Sequence, residues 1–91
     1  MVVFIYINMQ TDRYYKTANF NLSTFLYTQD QIIAGINPTK GSQKEFTFTL
    51  SPMLEELIDV YKFGNKEDER LLVPVHKYES ARRYLLDRLN D

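Results

Sequence analysis

The clearest pattern in the chain runs through residues 44–64, KEFTFTLSPMLEELIDVYKFG, where a two-residue period gives way to a helical one. Phe46, Phe48 and Leu50 fall on one face of an extended segment and Glu45, Thr47 and Thr49 on the other, which is the alternation of a half-buried strand. This reading puts Phe48 in the core and Thr47 in solvent. Ser51 then offers a hydroxyl as an N-cap, and Pro52 at the first helical position has its φ pre-set and lacks only an N–H that would stay unpaired. Leu54, Leu57, Ile58 and Tyr61 recur at helical spacing, and Gly64 stands where a left-handed residue would end the helix.

The remaining elements are predicted in the same way. Residues 1–9, MVVFIYINM, form the most apolar run. It is too short for a membrane span and lacks the basic start and small-residue cleavage site of a signal peptide, so it reads as a strand over 2–8; the alternative is that Met9 is the true start. Residues 11–16 read as a turn leading to an aromatic pair. Asn19 is the expected N-cap of a short helix carrying Leu22, Phe25 and Leu26, with Ser23 small enough for close packing, that ends near Thr28. Ile32, Ile33 and Ile36 favour a strand, Gly35 marks a bulge or a close backbone approach, and residues 38–42 turn it into an antiparallel hairpin with 44–50. Residues 65–70 are too polar to bury and read as a solvated loop. Residues 71–75 are apolar, but Pro74 confines them to an edge strand or a packed connector. A last helix covers about 77–90, with Tyr78, Ala81, Leu85 and Leu89 on one stripe and Glu79 placed to pair with Arg83. The order β–α–β–β–α–(extended)–α implies an α+β fold: a small antiparallel or mixed sheet of about three strands, with room for a fourth at its edge, packed against two to three helices.

Composition narrows the functional classes. Ninety-one residues, 44% apolar and 14% aromatic, suit a single domain over 1–91. The absence of cysteine removes disulfides and thiolate metal sites, and a cytoplasmic setting is expected. A formal net charge of −1, with no strongly basic half, disfavours a dedicated duplex-DNA binder.

The run Thr17-Ala18-Asn19-Phe20-Asn21-Leu22-Ser23-Thr24-Phe25-Leu26, then Phe46-Thr47-Phe48, then Leu54, Leu57 and Tyr61, and finally Tyr78, Arg82 and Leu85 resemble a family of small bacterial and phage-associated domains of unknown function. The resemblance spans about residues 15–89. Asn19 stands where that family's pattern has Asp, and Ser23 where it has Ala. The resemblance implies no activity.

Catalytic chemistry finds little support. His76 is the sole histidine, which excludes a two-histidine metal site, and it is expected at the surface, capping the last helix. No serine lies in a nucleophile-elbow context, and Gly35, Gly41 and Gly64 are too far apart for a phosphate loop. The expectation is a non-enzyme without cofactor or metal. Two binding classes follow. In the first, a protein-interaction or self-assembling module, Val2, Phe4 and Tyr6 form the interface, because the 2–8 strand is apolar on both faces and a second copy, as a homodimer, would cover one of them. In the second, single-stranded nucleic acid stacks on Tyr14 and Tyr15, with Arg13, Lys16, Arg82 and Arg83 meeting phosphates. The first class is preferred. No membrane partner is expected.

Overall fold

The structure, a computed structural model, describes residues 13–38 and 44–90. Its elements follow in the order β1 (Tyr14–Thr17), α1 (Phe20–Thr28), β2 (Ile33–Pro38), β3 (Lys44–Thr49), α2 (Pro52–Phe63), a 3-10 turn (Glu69–Leu71) and α3 (Val75–Leu89). The α+β class is as predicted, with three antiparallel strands in one sheet in the order β1-β3-β2. β3 is therefore central. β1 and β2 both run antiparallel to it and so lie parallel to each other on its two sides, joined by α1, which crosses the sheet in a split β-α-β arrangement. The segment read as a turn at 11–16 instead contributes β1, which is paired from Tyr14 opposite Thr49 to Thr17 opposite Phe46. The predicted strand at 2–8 lies outside the described residues, as does most of the turn predicted between β2 and β3.

Both predicted N-caps form. The Asn19 side chain accepts from the Leu22 N–H at 3.0 Å, and the Ser51 hydroxyl accepts from the Leu54 N–H at 3.0 Å. Each satisfies one of the orphan donors at a helix start. Phe46 and Phe48 point from β3 into a core completed by Leu22, Leu26, Leu54 and Leu85. α1 lies deeper than its three-residue stripe predicts. Ser23, Thr24 and Thr28 are also buried, and each hydroxyl donates to a carbonyl three or four residues back in the same helix. Back-bonding of this kind lets a helix bury small polar side chains without leaving a donor unmade. α1 can therefore be covered by the sheet, α2 and α3 together.

Several expectations are corrected. Thr47, expected in solvent, is only 6% exposed, and its Oγ1 has no hydrogen-bond partner. Alternation does place it on the face opposite Phe46 and Phe48. It cannot tell that β3 is the middle strand, flanked on both sides, with Lys16 of β1 and Gly35 of β2 opposite Thr47. Gly64 is not left-handed: its φ is −76° and its ψ 167°. The predicted cap by His76 is also absent. α3 starts at Val75 after Pro74, which makes no side-chain cap bond, and His76 is an exposed residue of the first turn. Of residues 71–75, Leu71 ends the 3-10 turn and Val75 opens α3, and the short connector between them packs Val73, like Leu71, against the core.

The polar segment before that connector is better organised than a solvated loop. Arg70 grips Asp68 through Nε and Nη2, at 3.1 and 2.9 Å, and reaches Glu56 of α2 through Nη1 at 2.7 Å. Its carbonyl accepts from the Gln29 side chain at the end of α1, at 3.3 Å. Hydrogen bonds from Arg70 hold the Asp68 carboxyl below the usual carboxylate range. Among the described residues the ion pairs are those of Arg70, so the helical pair expected between Glu79 and Arg83 is not made.

Candidate functional site

An open cleft of about 780 Å³ lies between the end of α1, the start of β2 and one face of α3. One wall begins where α1 stops. The Gln31 N–H returns to the Leu26 carbonyl at 3.2 Å and the Asp30 N–H to the Tyr27 carbonyl at 3.1 Å, the paired bonds of a Schellman ending. That ending needs a left-handed residue after the cap, and Asp30 supplies it at φ 64°. The turn then throws Ile32 outward, 67% exposed, just ahead of β2. Ile32 was predicted inside the strand. The left-handed turn takes up the two residues before it and leaves its side chain in the cleft instead.

The other wall is α3. Lys77, Ala81, Tyr84 and Arg88 all line the cleft, and their spacing of i, i+4, i+7, i+11 keeps them on one stripe of the helix. This stripe adjoins the predicted apolar one at Ala81; of that apolar stripe, Leu85 and Leu89 face the core. Tyr84 stacks on Tyr27 of α1 with ring centroids 5.0 Å apart and planes 11° from parallel. Its hydroxyl accepts from Arg88 at 2.7 Å, and the Arg88 guanidinium also lies 5.6 Å from its ring centre. Burial, then the neighbouring Tyr84 hydroxyl, push the Tyr27 phenol above its ordinary pKa. The phenol therefore stays neutral near neutral pH. The cleft thus combines an aliphatic and aromatic middle with two cations, Lys77 and Arg88, and one carboxylate, Asp30.

A smaller hollow of about 470 Å³ lies at the C-terminal end of α3, against Phe20, Phe46 and Leu89. Lys44 donates to the Leu89 carbonyl there. A cation at the last turn of a helix meets the negative end of its dipole, so this contact serves to anchor α3 to β3.

The residues proposed from sequence are not gathered into one surface. Arg13, Tyr14 and Lys16 are exposed, whereas Tyr15 turns to the helix side and packs against the core. Arg82 sits on α3 with its guanidinium 5.8 Å from the ring centre of Phe20, and Arg83 is exposed on the same helix. Val2, Phe4 and Tyr6 lie outside the described residues. None of the six cleft residues that matter most here, Tyr27, Asp30, Ile32, Lys77, Tyr84 and Arg88, was expected from the sequence to be a site residue. The one available signal was the Lys-Ala-Tyr-Arg stripe at helical spacing beside the apolar one. Among the described residues no group of three or more His, Asp or Glu side chains is placed to hold a metal ion, and no helix is long and apolar enough to cross a membrane. No family model, no curated protein and no solved structure matches this chain.

Proposed function

We propose that this chain is a non-enzymatic, cytoplasmic interaction module that holds a protein partner in the cleft between α1 and α3. The observation that carries the reading is the exposed Ile32 facing a helix stripe with Tyr84 at its centre. Aliphatic and aromatic side chains of this kind, rimmed by charge, are the usual make-up of the middle of a protein interface. The stack with Tyr27 and the bond from Arg88 hold the Tyr84 ring before anything binds, which reduces the ordering cost of association. The resemblance to small bacterial and phage-associated domains of unknown function is compatible with this role and adds no activity to it.

A second reading, single-stranded nucleic acid on the outer sheet face, draws on Tyr14, which is half exposed, with Arg13 and Lys16 near it in sequence. It is the weaker of the two, because Tyr15 faces the core and Arg82 lies on Phe20. A photo-reactive benzoylphenylalanine at position 32 should cross-link to protein, whereas the same group at position 14 should not. Cross-links to nucleic acid, or to protein from position 14 alone, would move the function to the sheet face.

A further inference from the structure

Resting on the reading of the cleft as a protein-binding site, we infer that its occupant is a short extended peptide segment with an acidic residue at each end and an apolar or aromatic residue in the middle. Lys77 and Arg88 are eleven residues apart on one helix, so at the helical rise their backbone positions stand roughly 16 Å from each other along its axis. That separation is too long for one phosphate or carboxylate to touch both. It matches about five residues of extended chain. Between the cations the stripe offers Ala81 and Tyr84, with Ile32 on the facing wall. The order along the cleft is therefore cation, apolar middle, cation, and the complementary segment is acid, apolar middle, acid.

Both cations are available. Lys77 and Arg88 are exposed, and Arg88 gives one of its five N–H groups to Tyr84 and keeps the others. Among the described residues Asp30 is the one carboxylate on the lining. It opposes an acidic occupant, so its removal should tighten binding. The acidic side chains on α3 closest in sequence to the two cations, Glu79 and Asp87, are not among the lining residues.

The test is to pan a displayed heptapeptide library against the full chain and to measure the enriched sequences as labelled synthetic peptides by fluorescence anisotropy. The expected result is enrichment of peptides with Asp or Glu on both sides of an aliphatic or aromatic centre. Lys77→Glu and Arg88→Glu should each weaken them roughly fivefold or more, and raised salt should weaken them further. A peptide with Lys in place of one terminal acid should recover binding to one of the two variants and not the other. Asp30→Asn should tighten binding by roughly threefold. Lys77 and Arg88 are exposed, and unchanged melting of both variants confirms that the loss is not unfolding. Enrichment of basic or uncharged peptides, or acidic peptides indifferent to both reversals, overturns the inference. If uncharged peptides are enriched and Ile32→Asp abolishes them, the cleft remains the binding site and only the acidic occupant is wrong. If no enriched peptide responds to Ile32→Asp, the cleft reading falls with it. A dimer in light scattering that Arg88→Glu dissociates, with no peptide enriched, replaces the acidic segment by a second copy of the chain.

Discussion

The ends of α1 and α2 solve one problem in opposite ways. Both helices must stop and turn the chain toward its next element. α2 stops at Gly64, the residue that sequence rules assign to a left-handed cap, yet Gly64 has φ −76° and donates its N–H to the Val60 carbonyl at 2.9 Å. α1 stops without any glycine, and there the left-handed position is taken by Asp30. The glycine is used for its missing side chain: a Cβ on Gly64 would lie 2.5 Å from the Val60 carbonyl oxygen, a backbone atom that cannot swing away. The aspartate tolerates a conformation that costs most L-residues ~1–2 kcal/mol, because its short polar side chain is among the few that visit it. Glycine at a helix end thus has two distinct uses, and only the backbone geometry distinguishes them.

The largest effect that would break this contrast is at Gly64. Gly64→Ala should lose ~1–3 kcal/mol of stability in urea unfolding, because the new methyl group must push the last turn of α2 aside. A loss near zero would mean that the turn relaxes freely and that Gly64 is a cap residue of no special kind. At the other ends of the same helices the two caps should behave alike. Asn19→Ala and Ser51→Ala should each lose ~1 kcal/mol, while Ser51→Asp should be nearly neutral. Unequal losses would show that burial of α1, not its cap, sets its stability.

A smaller effect, of opposite sign, is expected at Asp30. Asp30→Gly should gain ~0.5 kcal/mol, since relief of the left-handed strain is partly offset by the greater freedom of glycine in the unfolded chain. Asp30→Ala should lose stability. A loss on Asp30→Gly would show that the carboxylate makes a contribution to the turn larger than its strain. The smallest effect concerns the polar segment that follows α2. The Asp68 pKa is lowered in the folded state, so its contribution is present above the unfolded carboxylate value and is lost as pH falls through the lower folded value. Melting temperatures followed from neutral pH downward should show a step below about pH 4 that Asp68→Asn removes. Persistence of the full step in that variant would assign it to other carboxylates.

The sequence by itself determined the parts of this protein that depend on neighbours within one or two turns. Asn19 and Ser51 cap their helices, Phe46 and Phe48 share the core face of a strand, and Leu54, Leu57 and Ile58 form the buried stripe of α2. Hydrogen-bonding reach and side-chain period are local properties, and they survive whatever the rest of the chain does. Three features were decided by the tertiary structure, each because it depends on residues far away in sequence. β1 exists because β3 is there to pair with it, while Tyr14 to Thr17 carry too short a pattern to announce a strand. Thr47 is buried because two other strands flank β3. The cleft exists because α1 and α3, about fifty residues apart along the chain, bring Tyr27 against Tyr84 and leave Ile32 facing Lys77 and Arg88 without filling the space between them. A pattern of polar and apolar residues shows which side of an element is buried, but not how much of the other side its neighbours leave open.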